Sequence, residues 1–274
     1  MPSIPTRLGD MAYQVRGHGI PVIMLHATLH DRHDFDAIAT RLAENYLTIA
    51  ADWPWHGESK GLETVDGLGA VALADVLEEF VAGLNLPPAY FIGNSVGGFA
   101  SARLAITHPH LVRGLVLVNT GGFVHMTAVT RFFCRVLGTP FFARFLLPAL
   151  VTRYMAPQTA ADETIARKTK ERARSVQGAA VAAAIWRSFP DPAHDLIDRE
   201  PKITAPTLIV WGTRDPTFPA DTGKAVQRCI PGSKLELFDA GHVVFSSKPD
   251  QFLALVEPFF ESPKGAGKVD RESD

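Results

Sequence analysis

Two cysteines, Cys134 and Cys229, are the only thiols in 274 residues. They stand too far apart in sequence to frame a disulfide-stapled fold or a thiolate metal site, so free thiols in a reducing compartment are expected. Charge of one sign is equally scarce. The 27 Lys and Arg offset 29 Asp and Glu, leaving −2, and neither sign gathers into a strong run. Neither nucleic acid nor an acidic membrane surface is therefore an expected partner. No apolar run is long enough to span a bilayer, and Met1 to Asp10 lacks the basic-then-apolar order of a secretory leader. A soluble cytoplasmic protein is the expectation. A phosphate-binding loop is missing too, since Gly93 to Gly98 matches neither a Walker pattern nor a dinucleotide fingerprint, and no cofactor is expected.

Short apolar runs punctuate the chain at Pro21 to Leu25, Leu47 to Ala51, Tyr90 to Gly93, Gly114 to Asn119, Thr207 to Trp211 and Lys234 to Phe238. The first four lack strict alternation, as strands buried on both faces of a parallel sheet do. Helical patterns fall between them at Phe35 to Glu44, Val65 to Leu84 and Val96 to His108, and a closing helix is expected from Asp250 to Phe260. Alternation of this kind predicts an α/β fold: a mostly parallel twisted sheet flanked by helices through right-handed crossovers. Residues 122–197 break the rhythm, with helical patterns and no convincing strand, and read as an inserted helical cap. Its aromatic residues are read first as the cap's own core. The expected division is 1–121 and 198–262 for the two parts of the α/β core, 122–197 for the cap, and 263–274 for a disordered tail. The oligomeric state is not legible.

Chemistry concentrates where a buried strand runs into a helix through Gly93-Asn94-Ser95-Val96-Gly97. A serine on so sharp a turn needs neighbours without side chains, and its hydroxyl would stand at a helix N-terminus, where backbone N–H groups favour a developing anion. A serine hydroxyl also needs a base and a carboxylate to orient that base. His242, in Asp239-Ala240-Gly241-His242-Val243, follows the last expected strand, and Asp215 follows the strand before it. The carboxyl ends of those strands lie on the same sheet edge as Ser95. Ser95, Asp215 and His242 are the expected catalytic residues, with the Val96 N–H as a candidate oxyanion donor.

These landmarks resemble the α/β-hydrolase fold superfamily, from about Met11 to Phe260, in its serine-nucleophile branch with a helical cap. Val22 to Thr28 resembles the strand and oxyanion loop, which implies the Thr28 N–H as second oxyanion donor beside Val96. Asp52-Trp53-Pro54-Trp55-His56-Gly57-Glu58-Ser59 resembles the family's next loop, and Pro206 to Asp215 the strand and loop that carry the acid. Ala27 and Trp55 depart from the family, each standing where Gly is usual. The resemblance implies hydrolysis of an ester or related acyl bond in a small, largely apolar substrate. It also admits cleavage of carbon–carbon bonds in ring-cleavage products, for which Asn94, Trp186 and Arg187 are suggestive, and a ligand-binding receptor with a vestigial triad. Aspartate-nucleophile dehalogenation and epoxide opening are unlike this chain. His26, Trp55, His125 and Trp186 are candidate substrate contacts, although the family reading makes His26 structural. His26, His30 and His33 share no regular geometry that aims all three at one point, so no metal is expected.

Overall fold

The computed structural model describes residues 1–197, 199 and 202–262, so the expected tail at 263–274 lies outside the described residues. Nine strands form one sheet: β1 (Ser3–Thr6), β2 (Gly9–Arg16), β3 (Pro21–Leu25), β4 (Leu47–Ala51), β5 (Lys60–Gly61), β6 (Ala89–Asn94), β7 (Val112–Val118), β8 (Thr207–Gly212) and β9 (Lys234–Phe238). Their order is β1-β2-β4-β3-β6-β7-β8-β9, with the short β5 pairing β2. From β4 to β9 every pairing is parallel, and β1, β2 and β5 form an antiparallel edge. The fold is thus the mostly parallel sheet read from the sequence. The strands β1, β2 and β5 carry no such legible signal, being half-exposed where the central strands are wholly buried.

Burial of both sheet faces explains the uninterrupted apolar runs. One face packs Leu73, Leu77 and Phe80 of α2 (Ala70–Leu84) and Phe99 of α3 (Val96–Thr107). The other packs Ile38 and Leu42 of α1 (Asp36–Leu42), Phe245 of α9 (Val244–Ser247) and Phe252 and Val256 of α10 (Pro249–Glu261). Between β7 and β8 come four helices: α4 (Ala128–Leu137), α5 (Pro140–Met155), α6 (Ala160–Arg174) and α7 (Val176–Ser188). The helix α8 (Ala220–Cys229) then covers β8. The four-helix insert has a small core of its own around Leu137, Ala143, Leu147, Ala173, Ala182 and Ala183, which also takes in Leu29 from the sheet domain. Its phenylalanines do not fill that core. Phe132, Phe133, Phe141, Phe142 and Phe145 all face solvent, because the insert's helices meet through alanine and leucine instead.

Candidate active site

Ser95 sits between β6 and α3 with φ 56° and ψ −113°, a left-handed conformation that a non-glycine residue holds only where its surroundings enforce it. The enforcement is visible in its neighbours. A Cβ on Gly93 would lie 2.5 Å from the Gly97 carbonyl oxygen, and one on Gly97 would lie 2.3 Å from that of Leu25. The turn is further fixed by the Ser95 N–H, which donates to the Val118 carbonyl at 3.0 Å, and by the Gly121 N–H, which donates to the Ser95 carbonyl at 3.2 Å. Val96 opens α3, so its N–H belongs to the helix's first, unbonded turn.

Asp215 and His242 meet, Nδ1 to Oδ2, at 2.5 Å, both buried. Burial alone would raise the Asp215 pKa. The charge and hydrogen bond of His242, together with the Thr217 hydroxyl at 2.5 Å and its N–H at 2.8 Å, hold the pKa below the ordinary value. Asn119, at the end of β7, gives its side-chain amide to Asp215 Oδ2 at 3.2 Å, while its Oδ1 accepts from the Gly212 N–H. Asn94, the residue before the serine, donates to the His242 carbonyl at 3.0 Å and so ties the histidine loop to the Ser95 turn. Among the described residues His242 Nε2 makes no hydrogen bond. Catalytic hydrogen bonds often tighten only once a substrate is held. Behind His242 the packing is close: a Cβ on Gly241 would stand 1.9 Å from the Met155 carbonyl oxygen, and the His242 N–H donates to the Tyr154 carbonyl at 2.9 Å.

Thr28 begins the turn in which the His30 N–H donates to the Ala27 carbonyl at 3.1 Å. The positive φ on this loop, 69°, falls on Leu29 and not on Ala27, so the methyl at 27 is accommodated without strain. The Leu29 N–H donates to His56 Nε2, leaving the Thr28 N–H without a hydrogen bond among the described residues, and the Thr28 hydroxyl is likewise buried and unpartnered. From the insert, Arg172 grips this loop with one guanidinium nitrogen on the Leu29 carbonyl at 2.9 Å and another on the Asp31 carboxylate. Burial would raise the Asp31 pKa, but Arg172 outweighs it and brings it to about 2.

The four residues expected to touch substrate are placed as follows. His26 has no exposed surface. Its Nε2 accepts from the Trp53 N–H at 3.1 Å and its Nδ1 lies 2.7 Å from the Ala27 carbonyl, so it braces the loop that carries Thr28. Trp55 has φ 63°, a conformation that favours glycine, and turns its indole onto Gly61 of β5, donating to the Leu62 carbonyl at 3.0 Å. His125 is largely exposed and stands 3.5 Å from Asp195. Trp186 packs on the insert's own core and on Phe189. The three early histidines diverge as well: His30 pairs with Asp34 at 2.5 Å, and His33 with Asp36 at 2.7 Å.

Sequence reasoning missed Asn119, Thr217, Arg172 and Tyr154. The ring of Tyr154 stands edge-on to His242 at 5.2 Å, and its hydroxyl is 3.1 Å from His30 Nε2. Burial, with Asp34 and Asp215 nearby, pushes its pKa up, so the hydroxyl stays protonated. Asn119 alone had a signal, as a polar residue closing an apolar strand.

A family model described as the alpha/beta hydrolase fold matches residues 20–249. The chain belongs to the α/β-hydrolase fold. It is 30% identical over 252 residues to a pimeloyl-[acyl-carrier protein] methyl ester esterase of Neisseria meningitidis serogroup A, covering 88% of this chain and 76% of that protein. Its α/β-hydrolase architecture is also that of a thermophilic esterase from Thermogutta terrifontis, with TM-score 0.81, 22% identity, and coverage of 97% of this chain and 98% of the other. An enol-lactonase from Burkholderia xenovorans superposes with TM-score 0.78 at 19% identity, over 95% of this chain and all of the other.

Proposed function

We propose that this α/β-hydrolase cleaves a carboxylic ester of a small, largely apolar acid through an acyl-enzyme on Ser95. The observation that carries the reading is the 2.5 Å contact of His242 Nδ1 with Asp215, on a loop that Asn94 ties to the Ser95 turn. With Asp215 accepting at Nδ1, the neutral imidazole has its lone pair on Nε2, the tautomer a general base requires. His242 takes the Ser95 proton as Oγ attacks the ester carbonyl carbon, and passes it to the leaving alcohol as the tetrahedral intermediate collapses. Water then attacks the acyl-enzyme by the same route. The Thr28 and Val96 N–H groups receive the oxyanion, each such donor contributing about 2.7–4 kcal/mol to transition-state stabilisation. The family membership and the esterase relative support an ester over other acyl bonds. The packing of Trp186 into the insert lends no support to the carbon–carbon alternative. In this reading the insert is the cap that closes over the site.

A fluorophosphonate probe followed by peptide mapping tests the nucleophile. The expected label sits on Ser95, and both label and turnover of p-nitrophenyl esters vanish in Ser95→Ala. Labelling that survives this substitution refutes the assignment. Vinylogous diketones cleaved faster than simple esters would refute the substrate class.

A further inference from the structure

The insert presents an outer face that the proposed catalytic chemistry leaves unused. On α5, Phe141 and Phe145 keep 65% and 66% of their surface exposed, and Phe142 keeps 46%. On α4, Val129 and Phe132 keep 75% and 66%. The α5 rings form one cluster, Phe141 lying 5.4 Å from Phe142 and 5.1 Å from Phe145 between centroids. Soluble surfaces do not leave this many large rings contiguous without something to cover them. The charge that α4 and α5 themselves carry is one-sided. The sequence has no Asp or Glu between Glu79 and Asp162, while Arg131, Arg135, Arg144 and Arg153 lie on α4 and α5. Beside Phe145, a groove of about 680 Å³ between α5 and α6 is lined by Arg144, Lys170 and Arg174 over Pro148, with no carboxylate in its lining. Among the described residues none of these three cations makes an ion pair. A neighbouring groove shares Lys170 and Arg174 and adds Glu163 and Glu171, of which Glu171 is engaged by Arg167.

We infer that this face docks on an anionic phospholipid bilayer, the α4–α5 phenylalanines entering the interface while the Arg144–Lys170–Arg174 groove takes a lipid phosphate. Rings for the acyl boundary beside cations for the headgroups is the composition of a surface-lying helix. Among the described residues no single helix is long and apolar enough to cross a membrane; α4 and α5 reach that length only together and bend by 107° at their junction, a shape that suits lying on the bilayer. A second copy fits worse, because a two-fold dimer sets a patch against itself and would bring these arginines together. An acidic protein partner would satisfy the cations and leave the clustered rings uncovered.

The test is cosedimentation of the full chain with vesicles of phosphatidylcholine alone and of phosphatidylcholine mixed with phosphatidylglycerol. Binding to the mixed vesicles, weakened by salt, is expected. Partition should fall about a hundredfold in R144Q/K170Q/R174Q and at least about thirtyfold in F141S/F145S. Lys170 is half-buried and the other substituted residues are exposed, and an unchanged melting temperature verifies the fold of both variants. The vesicle measurement needs no turnover, so it stands whether or not Ser95 proves to be the nucleophile. Equal binding to neutral vesicles, or variants that bind as well as the parent, overturns the inference. So does a dimer in light scattering that F141S/F145S dissolves, or capture by an acidic carrier protein, when vesicle binding is absent.

Discussion

His242 with Asp215 and His30 with Asp34 are the same pair built twice, each with Nδ1 to Oδ2 at 2.5 Å, each buried, with Tyr154 beside both rings. What separates them is the far nitrogen. His30 Nε2 is occupied by the Tyr154 hydroxyl, whereas His242 Nε2 has no hydrogen bond among the described residues. The carboxylates differ as well, for Asp215 also receives Thr217 and Asn119, which fix its position from three sides. A histidine–aspartate contact is therefore no signature of catalysis by itself. Its use depends on whether the second nitrogen is left for a substrate or consumed by the fold.

The sharpest way to break this comparison is to remove one carboxylate at a time. Asp215→Asn should lower kcat by about 10⁴-fold, because an amide at this position favours the wrong imidazole tautomer. Asp34→Asn should leave kcat within about tenfold and appear mainly as a lower Tm, since it loosens a buried link away from the reacting atoms. Steady-state kinetics on a p-nitrophenyl ester and a melting curve for each variant decide it. A loss in Asp34→Asn as large as that in Asp215→Asn would erase the distinction.

The contrast also marks how far the sequence reaches. Ser95 was legible because its turn is local: the glycines that relieve the turn lie two residues either side, and the apolar run before it is a strand of the sheet. That Asp215 and His242 lie together was legible through order, since they follow β8 and β9, which pair as neighbours. Tyr154 was not, because His30 lies 124 residues away and only the return of α5 onto the sheet domain joins them. Trp55 and Trp186 misled for a related reason. Their type suited a pocket wall, but the direction of each side chain is set by what packs beside it, Gly61 in one case and the insert's small-residue core in the other. The insert's phenylalanines misled in the opposite sense, since composition counts rings without saying which face they occupy.

Arg172 supplies the next largest effect, as the point where the insert holds the loop of the proposed oxyanion donor. It bridges the Leu29 carbonyl and Asp31, and a neutral side chain would free the turn that carries the Thr28 N–H. Arg172→Met should lower kcat by about tenfold, below the cost of deleting an oxyanion donor outright, with KM little changed. Arg172→Lys should behave much as Arg172→Met does, because one ammonium lacks the fork that reaches both partners. A kcat equal to the parent's in both would show that the loop holds its shape without the insert.

A third group of histidines makes no hydrogen bond to a carboxylate, and it should govern acid stability. Burial lowers the pKa of His26, of His56 to about 3, and of His194 to about 4, from an ordinary 6.5. Between about 6.5 and those values the unfolded chain binds protons that the folded chain refuses, so stability falls as pH drops through that window and is level above it. Asp31 acts in the same direction lower down, its contribution disappearing from about 3.8 towards about 2. Calorimetry across this range should show Tm decreasing below about pH 6.5, and His194→Phe, between Phe99 and Phe189, should flatten part of that slope. A Tm that stays level down to about pH 4 would contradict the assignment of these rings as buried and neutral.

The smallest change, Tyr154→Phe, probes the comparison where its two halves touch. The ring stays against His242, so the surroundings of that imidazole are kept, and only the hydroxyl bonded to His30 is lost. His30 Nε2 then has no partner in a site closed to solvent, which should cost about 1–3 kcal/mol of stability and lower Tm by several degrees. Turnover should stay within about threefold, because the hydroxyl spans the fold and does not meet the ester. Were kcat to fall by about a hundredfold at an unchanged Tm, the hydroxyl would be acting on the substrate. His30 and Asp34 would then polarise that hydroxyl, and the second pair would belong to the reaction as much as the first.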